Sequence, residues 1–309
     1  MALADVFIFT TQRYKYLGDK LLQSTGFKEG LFSSSTFPDG EYYHKLLTDV
    51  EGKKAILIGG TIDDKETLEL FDKACGLIQY GVDSLTIVIP FFGYSTMERA
   101  ANPGDVVMAK NRALLLSAIP SGGLTNRIAM LDLHTEGLPY YFTTNWRPVH
   151  LYCKSVIIQA ATQLYGRDFI LASTDSGRAK WVESLANDME VKAAFVYKKR
   201  LSGENTQITG INADVEGCKV IIYDDMIRTG GSLIKAAKSY KAAGAEEISV
   251  IATHGIFTSG SFENLKNSGL FANIICTDTH PNVFKIHDEN FHIHSVAPVI
   301  SDWLMRISW

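Results

Sequence analysis

The stretch Val220-Ile-Ile-Tyr-Asp-Asp-Met-Ile-Arg-Thr-Gly-Gly-Ser232 decides how the rest of the chain is read. Its first four residues, Val220 to Tyr223, are apolar or aromatic and predict a buried strand. Two adjacent carboxylates, Asp224 and Asp225, stand at the carboxyl end of that strand. A short loop follows through Arg228 to Thr229-Gly230-Gly231-Ser232, and Leu233 to Ala243, rich in Ala and Lys, predicts a helix. A strand, a loop of small residues and a helix N-terminus together make an anion site, because free backbone N–H groups and the helix dipole both favour a phosphate there. Glycine lets the backbone approach such a ligand where a Cβ would hold it away. The carboxylates cannot serve the same anion, since like charges repel. They suit ribose hydroxyls or a divalent metal beside it, so the stretch reads as a sugar-phosphate cradle. The string ending in Gly-Lys-Ser/Thr that marks a P-loop kinase is absent.

The chain has 309 residues, enough for two domains or one large one. A formal net charge of -4 argues against a general nucleic-acid surface and leaves room for a local basic pocket. No stretch approaches a membrane span, and the N-terminus lacks a basic region ahead of an apolar core. The early apolar run Val6 to Phe9 is short enough to be a first strand. Cys75, Cys153, Cys218 and Cys276 are scattered with no paired spacing, which speaks against a zinc site or a disulfide framework. The expectation is a cytoplasmic protein with reduced thiols and with neither nucleic acid nor membrane as a partner.

Two long segments look alike. Ala55 to Ile58, an acidic helical stretch to Gly81 and Leu85 to Ile89 form one. Val220 to Tyr223, a helix to Gly244 and Ile248 to Ala252 form the other. Each is strand–helix–Gly–strand, the Gly being a helix stop signal. Strands alternating with helices imply a parallel sheet, and apolar strands without alternation imply that both faces are covered. The expected fold class is therefore α/β, with two similar domains at residues 1–150 and 151–309. The first copy has Gly59-Gly60-Thr61 where the second has its acidic pair, which suggests a single working sugar-phosphate site.

Other segments carry chemistry. Ser35-Thr-Phe-Pro-Asp-Gly-Glu41 is a turn by composition. Ile89-Pro-Phe-Phe-Gly-Tyr94 leaves a buried strand for a Gly-containing loop with three aromatics, a place for a planar base or simply an edge of the core. Ile128 to Leu133 predicts a strand with His134 at its tip, where open α/β sheets place ligands, although a lone histidine at a strand end is more often structural. Ile170-Leu-Ala-Ser-Thr-Asp-Ser-Gly177 is a further strand and small polar loop, in which Asp175 could hold a metal. Lys198-Lys-Arg200 opens a polar stretch, Leu201 to Gln207. It is either a solvated face or a lid bringing positive charge to a phosphoryl group.

The segment from Asp224 to Ser232 resembles the phosphoribosyl-pyrophosphate (PRPP) motif of type I phosphoribosyltransferases and PRPP synthetases. The ordered set resembles the ribose-phosphate pyrophosphokinase (PRPP synthetase) family over nearly the whole chain. The matching segments are Phe37-x-Asp39-Gly40-Glu41, Pro90 to Tyr94, Asp132 to His134, Ser173-x-Asp175-x-Gly177, Lys198 with Arg200, and Asp224 to Ser232. The resemblance implies two tandem type I phosphoribosyltransferase-like domains, each with a mainly parallel sheet flanked by helices. It implies diphosphoryl transfer from ATP to the C1 hydroxyl of ribose 5-phosphate, giving PRPP and AMP, with Mg²⁺ as cofactor and a homo-oligomer as the assembly.

By the same resemblance, Asp224 and Asp225 bind the ribose hydroxyls with Mg²⁺ assistance. Arg228, Thr229, Gly230, Gly231 and Ser232 hold the 5-phosphate. His134 and Asp175 place the metal on the ATP phosphates. Lys198 and Arg200, with His134, are the catalytic group. Phe37, Asp39, Glu41, Tyr94, Arg99 and His134 are the ATP residues, the first three meeting an adenine bound to a neighbouring subunit. The chain departs from the family pattern in places. Ser95-Thr96-Met97-Glu98-Arg99 stands where typical members have Ala-Arg-Gln-Asp-Arg, and Arg178 stands where they have a second Gly. Ser232 replaces the usual Thr, and Asn102 to Asp105 replaces a basic segment. These departures keep other readings open: a catalytically weak regulatory relative, a phosphoribosyltransferase that consumes PRPP, or a relative using another sugar phosphate or nucleotide.

Overall fold

The structure is a computed structural model that describes residues 6–123, 125–143, 146–202 and 205–307, with the backbone alone at 176, 197–202, 205–209 and 211. The chain divides into two units, Met1–Tyr152 with Ala297–Trp309, and Cys153–Val296.

The first unit runs β1 (Val6–Thr10), α1 (Lys15–Thr25), β2 (Lys28–Glu29), β3 (Phe32–Thr36), β4 (Tyr42–Leu46), β5 (Lys54–Ile58), α2 (Asp64–Gln79), β6 (Ser84–Ile89), α3 (Met108–Ser117), β7 (Arg127–Leu131) and β8 (Arg147–Leu151). Its main sheet has the order β2-β1-β5-β6-β7-β8 with every pairing parallel. β3 and β4 form a separate antiparallel hairpin. The second unit begins with α4 (Lys154–Tyr165) and β9 (Ile170–Ser173). It continues through α5 (Ala179–Met189), β10 (Lys192–Ala194), β11 (Val196–Ser202), β12 (Asn205–Ile211) and β13 (Lys219–Ile227). It ends with α6 (Gly231–Ala242), β14 (Glu247–Gly255), α7 (Ser261–Asn267), β15 (Asn273–Thr277) and β16 (Phe291–His294). Its sheet has the order β10-β9-β13-β14-β15-β16, again all parallel. The two orders match position by position. The repeated strands Ala55 to Ile58 and Val220 to Tyr223 hold the same place in their sheets, and so do the strands that follow them.

The apolar strands lack alternation because both faces are covered. In the second unit Val220 and Ile222 pack with Leu233, Ala236, Ala237 and Tyr240 of α6, while Ile221 and Tyr223 pack with Val182, Leu185 and Ala186 of α5. The α6 residues recur at helical spacing and make one buried stripe.

A boundary that gives 151–309 to one domain needs correction at its end. The last helix, α8 (Ala297–Arg306), buries Ala297, Ile300, Ser301 and Leu304 on one face and packs against α1 of the first unit. Its amphipathic stripe is satisfied by an element far away in sequence. The expected strand Ile128 to Leu133 stops at Leu131. Within the polar stretch Leu201 to Gln207, residues 201–202 and 205–207 belong to two antiparallel strands, β11 and β12, in which Lys198 lies opposite Ile208 and Arg200 opposite Thr206, while 203 and 204 lie outside the described residues.

In both sheets the strand order reverses at one place, between β1 and β5 and between β9 and β13. The crevice beyond the carboxyl ends of such strands is where open α/β sheets bind ligands.

Candidate functional site

In the second unit β9 pairs with β13 only as far as Ser173 opposite Tyr223. β13 continues, held by β14, until Ile227 lies opposite Gly255. Asp224 and Asp225 therefore do not end the strand, as the sequence suggests. They sit within it, just past the point where one neighbour stops, so the strand is open on that side. This places the acidic pair in the switch-point crevice.

The loop after β13 is tied down by Arg228, whose carbonyl accepts from the Thr258 N–H at 3.0 Å and from Thr258 Oγ1 at 3.1 Å. Gly230 then caps α6 with φ 77°. A Cβ there would stand 2.8 Å from both Cδ2 and Cγ of the buried Leu265, so neither the dihedral nor the space admits another residue. A glycine cap offers no side chain to the helix, and the first-turn amides receive no side-chain cap among the described residues. Thr229, Gly231 and Ser232 are exposed around that end. The arrangement presents N–H donors, two hydroxyls and the helix dipole to an anion.

The acidic pair is electrostatically loaded. Asp225 has a side chain only 4% exposed, and its Oδ2 lies 2.5 Å from Arg178 Nη2. Asp224 is half-buried and accepts from Thr174 Oγ1 at 3.2 Å and from the Asp225 N–H at 2.9 Å. Burial, then the neighbouring Asp225 charge, push the Asp224 carboxyl up to about 7, while Arg178 opposes them. The loop after β9 is shaped locally. Ser173 Oγ donates to the Asp175 carbonyl at 2.6 Å, and Asp175 Oδ1 accepts from the Gly177 N–H at 2.9 Å. The fully buried Tyr240 of α6 donates to the Ser173 carbonyl at 3.0 Å. α6 thus positions both loops of the crevice. Thr174 and Tyr240 are contributors that sequence reading missed. Tyr240 does carry one signal, its place in the apolar stripe of a helix that follows the acidic strand.

Lys198 and Arg200 lie two positions apart on β11, and their side chains are outside the described residues. The remaining expected residues belong to the first unit. Phe37, Asp39 and Glu41 form the tip of the β3–β4 hairpin. There the Phe37 N–H donates to the Glu41 carbonyl at 2.8 Å, and the Glu41 N–H donates to Asp39 Oδ1 at 3.1 Å. Phe37 is half exposed and its ring lies 5.9 Å from that of Tyr43. Tyr94 adopts φ 60° and donates to Asp64 Oδ1 at 3.1 Å. The Arg112 guanidinium, not anticipated from sequence, lies 4.6 Å over the Tyr94 ring and 2.5 Å from Asp64 Oδ1. Arg99 is widely exposed, 3.6 Å from Glu98 Oε1. His134 follows β7 by way of Asp132, a buried non-glycine at φ 37°. Positive φ at a bulky residue is tolerated where surrounding structure enforces it, commonly beside a functional site.

Among the described residues no group of three or more His, Cys, Asp or Glu could by itself enclose a metal ion. The donors in the crevice are carboxylates. That set fits Mg²⁺, which keeps several waters and takes one or two carboxylates together with substrate phosphates.

Two parallel sheets of one strand order, one of them carrying an acidic pair beside an open helix N-terminus, define a tandem protein of the phosphoribosyltransferase-like class. Residues 6–119 match the N-terminal domain of ribose phosphate pyrophosphokinase, and residues 172–308 match the phosphoribosyl synthetase-associated domain. A ribose-phosphate pyrophosphokinase of Rhodopirellula baltica is 30% identical over 311 residues, covering 99% of this chain and 96% of that protein. One from Campylobacter jejuni is 29% identical over 274 residues, covering 88% and 85%. The crystal structure of phosphoribosylpyrophosphate synthetase from Mycobacterium smegmatis shares the fold, with TM-score 0.86 over 97% of this chain and 98% of that one at 22% identity. The chain belongs to the ribose-phosphate pyrophosphokinase family.

Proposed function

We propose that this chain is a ribose-phosphate diphosphokinase, transferring the diphosphoryl group of ATP to the C1 hydroxyl of ribose 5-phosphate to give PRPP and AMP. The observation that carries the reading is the pair Asp224–Asp225, set past the end of β9 and beside the uncapped end of α6. An anion held at Arg228 to Ser232 puts the rest of a sugar phosphate over two carboxylates that accept from its hydroxyls. The C1 hydroxyl then attacks the β-phosphorus. A new O–P bond forms, the bond from that phosphorus to the oxygen bridging to the α-phosphorus breaks, and AMP leaves with that oxygen while the hydroxyl proton passes to solvent. No covalent enzyme intermediate is required, so the protein aligns the two substrates and offsets developing charge.

Lys198 and Arg200 are assigned to the transferring group. Phe37, Asp39, Glu41, Tyr94 and Arg99 are assigned to ATP. Asp175 and His134 are assigned to Mg²⁺, which when bound supplies positive charge to the triphosphate. The assembly is a homo-oligomer, since the hairpin-tip residues are assigned to a neighbouring subunit's nucleotide. No described helix is long and apolar enough to cross a membrane. All four cysteines are free thiols, which suits the cytoplasm.

A coupled assay for AMP and PRPP tests the reading. The purified chain receives Mg²⁺, ribose 5-phosphate and each of several nucleoside triphosphates. PRPP and AMP in equal amounts are expected with ATP. A folded sample that makes no PRPP with any donor overturns it.

A further inference from the structure

Arg178 reaches the acidic pair from the loop after β9, and its position is unusual for its own helix. It occupies the N-cap of α5, where the helix dipole disfavours a cation. Its guanidinium is instead matched to Asp225, at 2.5 Å, with side chains 21% and 4% exposed respectively. Asp225 is nearly shut off from water, and Asp224 adjoins it with its Oδ1 on the Asp225 N–H. Two adjoining carboxylates so placed need positive charge nearby, and removing the partner of a buried charge is costly. A sugar phosphate brings further negative charge to the same crevice. A guanidinium is planar, always charged and able to hold a carboxylate by one edge while presenting other N–H groups elsewhere.

We propose that Arg178 is a positioning residue of the sugar-phosphate site, a built-in counter-cation that fixes Asp225 and reduces the dependence of sugar-phosphate binding on divalent metal. The inference rests on the sugar-phosphate reading of this crevice and extends it. Arg178 and Mg²⁺ then act as alternative sources of charge at the acidic pair. Removing the first makes binding depend on the second.

The test is calorimetric titration of ribose 5-phosphate into the full chain, in EDTA and in excess Mg²⁺, for wild type, Arg178→Gln and Arg178→Lys. Wild-type affinity should change by less than about threefold between the two buffers. Arg178→Gln should bind about tenfold or more weakly in EDTA and recover in Mg²⁺, the loss expected of one charge-assisted contact. Arg178→Lys, which keeps the charge but not the planar fork, should recover only part of the loss that Arg178→Gln shows in EDTA. Merely structural damage would be rescued neither by the metal nor by lysine. Arg178→Gln equally weak in both buffers, or unchanged in both, overturns the inference, as does a wild type that needs Mg²⁺ to bind. That wild-type comparison decides the case even if a variant fails to fold. Wild type that binds no ribose 5-phosphate in either buffer overturns the sugar-phosphate reading itself, and the inference with it.

Discussion

Gly230→Ala is the sharpest probe of the loop proposed to hold the phosphate. Two costs follow from the geometry. Gly230 sits at φ 77°, and a residue with a Cβ pays about 1–2 kcal/mol to adopt that conformation. The new methyl also lands 2.8 Å from Leu265 Cγ and Cδ2, in a position where Leu265 is fully buried. Forcing a methyl into a packed core costs about 1–3 kcal/mol. The sum is about 2–5 kcal/mol, which corresponds to a melting temperature lower by about 5–15 °C for a unit of this size. The chain can relieve the strain only by moving the loop, and a shift of about 1 Å in a positioning element costs on the order of 100-fold in function. Differential scanning calorimetry and titration with ribose 5-phosphate measure the two effects on one sample. Combined with Leu265→Ala, the loss should be smaller than the sum of the two single losses, because the two changes share one contact and are not additive. A Gly230→Ala protein with wild-type melting temperature and affinity would refute the claim that this cap must be glycine.

Three other outcomes are expected. Asp224 has a folded pKa near 7 against an ordinary 3.8, so the native state holds this proton more tightly than the unfolded chain. Its contribution to stability is greatest at acid pH and is lost as pH rises through 7. Ligand-free Asp224→Asn should therefore melt progressively further above wild type from pH 4 to pH 8, by about 3–6 °C at the upper end, while losing sugar-phosphate affinity; parallel melting curves across that range would contradict it. Lys198→Ala should lower turnover by about 10²–10³-fold with ribose 5-phosphate still bound, as for loss of one positioned transition-state donor, and unchanged turnover would remove β11 from the chemistry. Tyr240→Phe deletes the bond to the Ser173 carbonyl and should cost about 1 kcal/mol, or about 2–4 °C in melting temperature; an identical melting curve would show that the bond adds nothing.

Much of the fold was legible because its signals are local. Val220 to Tyr223 and Ile248 to Ala252 are unbroken apolar runs between helices, and only a sheet covered on both faces buries such runs. The misplacements share a different cause. Asp224 and Asp225 are poor strand formers, yet β13 runs through them because β14 continues alongside. The polar stretch after Lys198 reads as a loop until β12 pairs with it. α8 shows a clear apolar stripe, but nothing local says that α1 will cover it. At the site, the glycine loop and the carboxylates were visible as residue types. The Arg178–Asp225 pair and the Tyr240 bond to Ser173 were not, since each joins segments that only the folded sheet brings together.

The two units use one topology in opposite ways, and the difference lies in which carboxylate faces the helix. After β5 the first unit has Gly59-Gly60-Thr61, a sequence that resembles a phosphate loop. There the Asp63 side chain accepts from the Glu66 N–H at 2.8 Å and caps α2. Glu66 turns back to take the Thr11 hydroxyl and, at 3.4 Å, the Gly60 N–H. It is 1% exposed, and burial pushes its carboxyl up to about 7. The anion position of this crevice is thus filled by the chain's own side chain. Gly60 is required by packing, since a Cβ would stand 2.5 Å from the Tyr14 hydroxyl oxygen. In the second unit the cap is Gly230, which carries no side chain, and the carboxylates lie upstream on β13 beside the helix end. A glycine loop at a switch point is therefore ambiguous by itself. An acidic N-cap just beyond it with a carboxylate turned back onto the loop, as at Asp63 and Glu66, closes the site, whereas acids placed before it, as at Asp224 and Asp225, leave the amides open and add acceptors for a sugar.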